Sequence, residues 1–323
     1  MESILVTGGA GFIGSNIAEA LLAQGYGVVV LDDLSSGKME NIEHLQNNEN
    51  FTFVKGTILD SGLLRSILRT YSIRGISHQA AIPSVTKSIL EPVETIEANI
   101  AGTANVFNIA ASRGCKRIVF ASSCAVYGDG PEPVKREDMA IRPLSPYAVS
   151  KAAKEMLAQN FCQLHQMEIV GLRYFNVYGR RQDPGSGYAA VIPTFITKAI
   201  KNEPIPIEGD GGQTRDFVFV DDVVKANLLA LKAGNCAGRC FNVASGASIS
   251  IIELARIVID VAGSRSAIMH TSARPGDIRD SQADIGNAGK DLGFSPEYDI
   301  ATGLEQAIAW YRKVYRIQGQ LVS

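Results

Sequence analysis

The sequence is poor in the residues that disulfide frameworks and zinc sites require. Its 323 residues include five cysteines and four histidines, and no two cysteines form a C-x-x-C pair. An odd and scattered set of cysteines favours neither a disulfide framework nor a zinc centre, so we expect no metal site.

The chain also lacks a large net charge and a long apolar run. Its net charge is −2, it has no basic cluster, and no apolar stretch approaches the roughly 20 residues of a membrane span. The first residues lead directly into an apolar segment, without the basic region of a signal peptide. We therefore expect a globular protein that binds neither nucleic acid nor membrane, in a reducing, cytoplasmic setting.

A glycine-rich turn near the N-terminus is the first positive signal. Residues 4–7 form an apolar segment typical of a buried strand, and Gly8-Gly9-Ala10-Gly11-Phe12-Ile13-Gly14 follows it. Helical periodicity over 15–24 and a second apolar segment at 27–31 come next, and that segment ends at Asp32-Asp33. The order strand, glycine turn, helix, strand and acid predicts a dinucleotide-binding unit.

The chemistry of this unit favours NAD. Glycines let the backbone approach a pyrophosphate at the helix N-terminus, where unpaired N–H groups and the helix dipole attract it. Asp32 lies 24 residues after Gly8, where a carboxylate binds a ribose 2′-hydroxyl and repels the 2′-phosphate of NADP. Glycines also form tight turns without any ligand, so the turn alone would be weak evidence.

Strand and helix patterns continue to alternate along the N-terminal half. Segments 51–55, 76–79 and 117–121 indicate strands, and 61–70 and 95–113 indicate helices. This alternation predicts an α/β fold, a doubly wound parallel sheet of the Rossmann type, with ligands at the carboxyl ends of its strands. His78 and Ser122-Ser123 fall at two such ends; we expect His78 to be structural, since buried strand-end histidines usually are.

Tyr147 and Lys151 are the candidate catalytic pair. Four residues apart on a helix, they project from one face, and the ammonium favours the phenolate form of the tyrosine. Lowering a phenol pKa from 10 to about 7 requires roughly 4 kcal/mol. One nearby charge in a partly screened site supplies about that much, and a cationic cofactor ring would add to it. The alternative is a pair on a solvated helix face.

The motifs together resemble the extended short-chain dehydrogenase/reductase superfamily. The glycine spacing Gly8-x-x-Gly11-x-x-Gly14 is its variant of the dinucleotide motif, and Tyr-x-x-x-Lys is its catalytic pair. The segments 173–184, 190–193 and 209–217 narrow the likeness to the UDP-hexose 4-epimerases, over nearly the whole chain. The resemblance implies Ser123 as the catalytic serine, Tyr147 as the base and Lys151 as its electrostatic partner.

The resemblance also implies binding residues. For NAD these are Gly8, Gly11, Phe12, Ile13, Gly14, Asp32, Ser36, Gly37, Thr57, Ile58, Ala80, Ala81, Asn99, Tyr147, Lys151 and Tyr174. For a UDP-hexose they are Ser84, Ser122, Ser123, Asn176, Val191, Arg215, Arg274, Asp277 and Ser281. Thr57 departs from the family, which usually has an aspartate there for the adenine amine.

Residues beside the serine distinguish the reactions known on this scaffold. The similar dehydratases and decarboxylases have carboxylates there, whereas this chain has Cys124 and Ala125, and epimerisation needs no extra carboxylate. Ser281 is small where epimerases restricted to plain hexoses have a tyrosine, so we expect UDP-GlcNAc/UDP-GalNAc and UDP-Glc/UDP-Gal to be accepted. A UDP-glucuronate 4-epimerase, another NDP-sugar oxidoreductase or dehydratase, and a catalytically silent dinucleotide sensor are the alternatives.

The C-terminal part predicts a smaller, discontinuous substrate domain. Helical segments at 221–232, 249–262 and 300–314 and a strand at 240–243 continue the pattern. We expect an NAD domain of 1–175 plus about 217–244, and a UDP-sugar domain of about 176–216 plus 245–323. The resemblance also implies a homodimer that pairs the helix of Tyr147 with the helix at 95–113.

Overall fold

The computed structural model describes residues 2–184, 191–272 and 279–321. The strands are β1 Ser3–Thr7, β2 Gly27–Asp32, β3 Phe51–Lys55, β4 Ile73–His78, β5 Arg117–Ser123, β6 Val134–Lys135, β7 Glu168–Tyr174, β8 Asn176–Tyr178, β9 Ile205–Glu208, β10 Thr214–Phe219, β11 Cys240–Val243, β12 Ser248–Ser250, β13 Ile268–Thr271 and β14 Gln282–Ala283. The helices are α1 Phe12–Ala23, α2 Ser61–Thr70, α3 Val85–Leu90, α4 Pro92–Ile96, α5 Gly102–Ser112, α6 Pro146–His165, α7 Val191–Ile200, α8 Val220–Lys232, α9 Ile251–Val261, α10 Gly286–Leu292 and α11 Ile300–Leu321. None of the helices in the described ranges is long and apolar enough to cross a bilayer.

Seven parallel strands form the central sheet, in the order β11-β7-β5-β4-β1-β2-β3. Helices α1 and α8 pack together, and α5 packs against α2 and α6. The strand order reverses between β1 and β4, and ligands bind in the crevice at such a reversal. The predicted doubly wound sheet is confirmed.

The central strands are buried because helices cover both faces of the sheet. Every residue of β2 is buried, as the near-continuous apolar runs of a parallel sheet require. Phe107 on α5 packs edge-on against Phe120 of β5 and Phe161 of α6, with ring centres 6.0 and 5.7 Å apart. This aromatic contact fixes α5 and α6 beneath the carboxyl ends of β4 and β5.

Two predicted helices differ from the structure, one in its continuity and the other in its first residue. The helix predicted over 95–113 is interrupted by a π-helical turn, Glu97–Ala101, between α4 and α5. The turn contains Asn99, in keeping with the frequent occurrence of π-turns at functional sites. The helix predicted over 249–262 begins at Ile251, because Ser250 ends β12 and forms a capping box with Glu253.

A second hydrophobic core lies among the smaller sheets. Strands β12, β10 and β8 form a three-stranded sheet, and β9 pairs with β13. Tyr178, Phe195, Phe219 and Tyr311 are among the largest side chains buried in this core. Helix α10, inside the predicted substrate portion, instead packs through Leu292 on the core of the large sheet. The two portions therefore share packing, and the domain boundaries stay a prediction.

Candidate active site

The glycine turn between β1 and α1 is packed too closely for side chains. Gly8 has a φ of +69°, and a Cβ there would lie 2.6 Å from the backbone nitrogen of Ala80. A Cβ on Gly14 would lie 2.1 Å from the carbonyl oxygen of Gly8. Gly11 occupies the N-cap of α1 and has no side chain to bond the first N–H groups of the helix. Those groups fit a pyrophosphate.

Asp32 lies at the carboxyl end of β2, beside this turn. Its side chain is 7% exposed and accepts hydrogen bonds from Ala10 N at 2.9 Å and Leu34 N at 2.8 Å. Burial raises the pKa of Asp32, and these two bonds oppose the rise. A Cβ on Gly37 would meet Asp32 Oδ1 at 2.7 Å, so the loop that contains Ser36 closes on the carboxylate. The residues present therefore fit a dinucleotide whose ribose hydroxyls meet Asp32.

Helix α6 positions the candidate catalytic pair. Ser145 begins the helix: its Oγ accepts a hydrogen bond from Ala148 N at 3.1 Å, and Pro146 is the first helical residue. Lys151, one turn after Tyr147, is 3% exposed, and its Nζ donates to the carbonyl oxygen of Ala121 at 3.0 Å. The same Nζ lies 5.4 Å from the centre of the Tyr147 ring. Hence the pair faces the end of β5, with Lys151 buried and Tyr147 half-buried.

Ser123 ends β5 and completes the group. Its hydroxyl accepts from Ala125 N at 3.2 Å and lies near enough to Tyr147 to influence that phenol. Burial raises the pKa of Tyr147 to about 12, although the neighbouring Ser123 hydroxyl opposes the rise. Burial lowers the pKa of Lys151 to about 8, and the charge of Glu155 opposes that change. The three predicted catalytic residues are thus brought together in one cluster, in which Ser123 and Lys151 are buried and Tyr147 is half-buried.

The raised pKa of Tyr147 leaves much of the lowering to the cationic cofactor ring that we expect beside Lys151. From a pKa of about 12, a phenolate at pH 7 needs on the order of 7 kcal/mol of further stabilisation. Desolvation outweighs the neighbouring ammonium in this interior. A second positive charge is required, and the cationic ring of an oxidised nicotinamide is the group that a dinucleotide site supplies.

Several other predicted cofactor residues border the same crevice. Ala80 and Ala81 follow β4, and Ala80 contacts the glycine turn through Gly8. The side chain of Asn99 accepts a hydrogen bond from Ile82 N at 2.7 Å and donates to Ile82 O at 3.1 Å. It also donates to Ser150 Oγ at 3.0 Å. The Asn99 side chain thus joins the segment after β4 to helix α6.

Three further predicted cofactor residues have structural contacts of their own. Thr57 accepts from Leu59 N at 3.3 Å, and the side chain of Ile58 fills the space above Gly102. The hydroxyl of Tyr174 donates to Gln79 Oε1 at 3.1 Å and accepts from Asn227 Nδ2 at 2.8 Å. Because that hydroxyl is engaged within the protein, Tyr174 would meet a cofactor through its ring.

Predicted substrate residues converge on Asp216, which follows Arg215 in β10. The Nδ2 of Asn176 donates to the Asp216 carbonyl oxygen at 2.8 Å, and β14, just after Ser281, donates to the Asp216 carboxylate from Ala283 N at 3.2 Å. The charges of Asp216 and Arg215 both act on the thiol of Cys124, next to Ser123. Asn176 and β14 therefore meet at Asp216, and the charge of Arg215 reaches the residue that follows Ser123.

The other predicted substrate residues are more loosely connected with this cluster. Ser84 caps α3, where its Oγ accepts from Lys87 N at 3.0 Å, and Val191 begins α7. Ser122 is buried and donates to Glu155. Arg274 and Asp277 lie outside the described residues.

His78 has the structural role expected of it. It is fully buried, with Nδ1 2.7 Å from Thr7 Oγ1 and Nε2 2.9 Å from Thr103 Oγ1. Thr103 uses its proton to bond Asn99 O at 2.6 Å, so its oxygen must accept from Nε2–H. His78 is therefore a neutral imidazole, and burial holds its pKa well below the usual value.

Sequence reasoning missed a buried ion pair behind the serines. Glu155 and Arg173 are 4% and 6% exposed, and they join through two hydrogen bonds of 2.9 and 2.7 Å. Arg173 was noted only as part of a family motif. The one available signal was the spacing of Glu155, four residues after Lys151 and on the same helix face.

The family model described as the NAD dependent epimerase/dehydratase family matches residues 4–244. The chain belongs to this family. Members of the NAD-dependent epimerase/dehydratase family similar to it over almost their whole length include a UDP-glucose 4-epimerase of Mycolicibacterium smegmatis. That protein is 38% identical, covering 95% of this chain and 98% of its own. The predicted likeness to the UDP-hexose 4-epimerases and the prediction of NAD as cofactor are confirmed.

Two solved structures of the family have closely similar folds. The UDP-N-acetylglucosamine 4-epimerase of Methanobrevibacter ruminantium, in complex with UDP-N-acetylmuramic acid, has a TM-score of 0.92 at 39% identity, covering 97% of this chain and 98% of that one. The UDP-glucose 4-epimerase of Thermotoga maritima, with UDP-glucose, has a TM-score of 0.90 at 35% identity, covering 97% and 99%.

Family membership does not by itself select one reaction. A UDP-glucuronate 4-epimerase of Thermodesulfobacterium geofontis is 33% identical, covering 97% of this chain and 97% of its own. A dTDP-glucose 4,6-dehydratase of an Actinoplanes strain is 32% identical, covering 96% and 97%. The choice among these reactions must come from the residues of the site.

The ionisation of Tyr147 gives a direct test of this geometry. In protein stripped of cofactor, we expect no tyrosinate from Tyr147 at pH 9, because burial raises its pKa to about 12. Saturation with NAD should lower the pKa, so that tyrosinate absorbance develops below pH 9. The measurement is the ultraviolet difference spectrum between the wild-type protein and Tyr147→Phe, which cancels the other nine of the ten tyrosines. Tyrosinate at pH 9 without NAD would contradict the account.

Proposed function

We propose that this enzyme interconverts UDP-hexoses at C4, as a UDP-sugar 4-epimerase with tightly bound NAD. The observation that carries the proposal is the cluster of Ser123, Tyr147 and Lys151 at the end of β5, beside the glycine turn. The likeness of the chain, over nearly its full length, to proteins named as UDP-sugar 4-epimerases supports the same conclusion.

Tyr147 is the proposed base for the sugar 4-hydroxyl. Ser123, close to the phenol, is proposed to bridge the hydroxyl of the sugar and that of the tyrosine, and Lys151 holds positive charge beneath them. The glycine turn and Asp32 would hold NAD, which would supply a reversible hydride acceptor for C4 of the sugar. The resulting 4-keto sugar turns over in the cleft, and Tyr147 then returns its proton to the oxygen of the other epimer.

The side chains next to Ser123 favour epimerisation over elimination or decarboxylation. Cys124 follows the serine, and burial raises the pKa of its thiol to about 11, so it is neutral and a poor acid near pH 7. Ala125 carries no functional group. The proposed site therefore lacks, at these two positions, the acid–base pair that loss of water from C5–C6 would require.

The UDP portion is proposed to bind beside the cluster around Asp216. Asn176 and Arg215 lie there, and Arg274 and Asp277 are proposed to join them by family likeness. The planar fork of an arginine matches the oxygens of a diphosphate. Within this proposal, residues 176–216 and 245–323 form the sugar-nucleotide portion and residues 1–175 and 217–244 form the NAD portion.

A test of the proposed function needs no added cofactor. Purified enzyme incubated with UDP-GlcNAc or UDP-Glc should yield the 4-epimer, detected by NMR, because NAD stays bound through turnover. Tyr147→Phe should lower kcat about 100- to 10,000-fold, the usual contribution of a positioned acid–base group. Accumulation of NADH together with a keto or dehydrated sugar would instead support an oxidoreductase or dehydratase.

Ser281 is proposed to admit an N-acetyl group at sugar C2. It is half-buried just before β14, and Ala283 in that strand donates to Asp216. The small side chain leaves room for the acetyl group, and the likeness to a UDP-N-acetylglucosamine 4-epimerase supports this. Both UDP-GlcNAc/UDP-GalNAc and UDP-Glc/UDP-Gal are proposed substrates.

Enlarging Ser281 should separate the two substrates. Ser281→Tyr is expected to lower kcat/KM for UDP-GlcNAc about 10- to 100-fold, because overfilling a packed pocket costs about 1–3 kcal/mol. The value for UDP-Glc should stay within about threefold, and Ser281→Ala is the matched control that keeps the site small. Equal losses on both substrates in steady-state assays would show that Ser281 does not gate the acetyl group.

The enzyme is also proposed to form a homodimer through an exposed apolar face. Helices α3 and α4 pack beside α6, and this face exposes Ile89, Leu90, Val93, Ile96, Val149, Met156 and Leu164. Val93 is 77% exposed and Met156 is 66% exposed. Val149, Met156 and Leu164 recur at spacings that keep them on one side of α6. A second copy of the chain would bury this face.

A charge in the middle of this face should separate the subunits. Met156→Glu is expected to convert a dimer to a monomer in size-exclusion chromatography with light scattering, because the carboxylate would be buried without a partner. Met269→Glu, at a similarly exposed methionine on β13, is the matched control and should leave the dimer intact. A wild-type monomer, or an unaffected Met156→Glu dimer, would contradict the proposed interface.

A further inference from the structure

The buried carboxylate of Glu155 connects the proposed catalytic lysine with the rest of the interior. Its Oε1 accepts from Ser122 Oγ at 2.6 Å and from Arg173 Nε at 2.9 Å, and its Oε2 accepts from Arg173 Nη2 at 2.7 Å. Ser122 and Ala121, whose carbonyl receives Lys151 Nζ, are consecutive residues of β5. Glu155 therefore lies behind the strand end on which the proposed catalytic groups are assembled.

The hydrogen bonds continue from Arg173 to the segment that contains Ser281. Arg173 Nη1 donates to the Tyr127 hydroxyl at 2.9 Å, and that hydroxyl donates to Asn242 Oδ1 at 2.6 Å. Asn242 Nδ2 donates to the carbonyl oxygens of Lys135 and Asp284, both at 2.9 Å. These carbonyls lie at the ends of the paired strands β6 and β14. Both members of the ion pair thus have further buried hydrogen-bond partners, Ser122 for Glu155 and Tyr127 for Arg173.

Among the titratable groups described around Lys151, Glu155 carries the negative charge that favours the protonated lysine. On α6, Tyr147 is a neutral phenol, and Lys154 is fully buried with Nζ 3.3 Å from Ala80 O. Burial, reinforced by the charge of Lys151, lowers the pKa of Lys154 well below its usual value. From β4, His78 faces this region as a neutral imidazole. From β7, the charge of Arg173 is engaged by Glu155 itself.

We propose that Glu155 is a positioning residue for catalysis, which keeps Lys151 protonated and holds the end of β5 in register with it. Glu155 does not touch substrate or cofactor; it acts through Lys151 and Ser122. The inference rests on the proposed function, because the charge of Lys151 matters to the reaction only if Tyr147 is the base.

Two substitutions with opposite electrostatic effects test the proposal. Glu155→Gln keeps the shape and removes the negative charge, so Lys151 should lose its proton at lower pH. Arg173→Met keeps Glu155 and removes the cation that offsets it, so Lys151 should lose its proton at higher pH. The measurement is the alkaline limb of the kcat–pH profile for 4-epimerisation, with NAD content checked in each preparation.

The expected shifts are about one pH unit, downward for Glu155→Gln and upward for Arg173→Met. At pH 8.5 the kcat of Glu155→Gln should be about tenfold below wild type, and at pH 6.5 within about threefold. A merely structural ion pair would lower kcat in both variants without moving the limb in opposite directions. That result, or an unmoved limb in both, would overturn the proposal.

A third variant keeps the proposal testable if either single variant fails to fold. Removing one partner of a buried pair leaves the other charge uncompensated, whereas replacing both is often tolerated. The double variant Glu155→Gln/Arg173→Met should fold and show a limb shifted downward relative to wild type; an unshifted limb would overturn the proposal. Failure of the wild-type enzyme to epimerise any UDP-hexose would refute the proposed function instead, so the two failures are distinguishable.

Discussion

A lysine buried beneath the carboxyl end of β5 can keep its charge only if hydrogen-bond acceptors or negative charges around it stabilise the ammonium. Lys151 is 3% exposed, and it meets one backbone carbonyl and the field of one carboxylate, Glu155. Burial lowers the pKa of its neighbours Lys154 and His78 well below their usual values. The arrangement of α6 against β5 therefore concentrates positive charge at one buried point next to a phenol.

This constraint explains why the cofactor and the base belong to one site. Burial raises the pKa of Tyr147 to about 12, so the phenol is a weak base until a further cation lies close to it. The glycine turn, Asp32 and Ala80 bring a dinucleotide to the same edge of the sheet. On the proposed mechanism, the phenolate would be most populated while the cofactor is oxidised, and the phenol would hold its proton more firmly once the hydride has been transferred.

Local patterns in the sequence predicted most of the fold and the centre of the site. Apolar runs and glycine spacing are properties of neighbouring residues, and they identified the parallel sheet, the turn at Gly8 and the pair Tyr147 and Lys151. The ion pair of Glu155 with Arg173 joins α6 to β7 through tertiary packing, which no local pattern encodes. The raised pKa of Tyr147 was missed for a related reason, because desolvation depends on how completely the fold covers the phenol.

The central claim of this account is that one hydride leaves C4 and returns to the same carbon inside a closed site. UDP-glucose with deuterium at C4, incubated with the enzyme in ordinary water containing excess unlabelled NAD, tests it most directly. The account predicts that the UDP-galactose formed retains the full deuterium content at C4, as measured by mass spectrometry and NMR. Loss of deuterium to the added NAD pool, or its replacement by hydrogen at C4, would contradict the account.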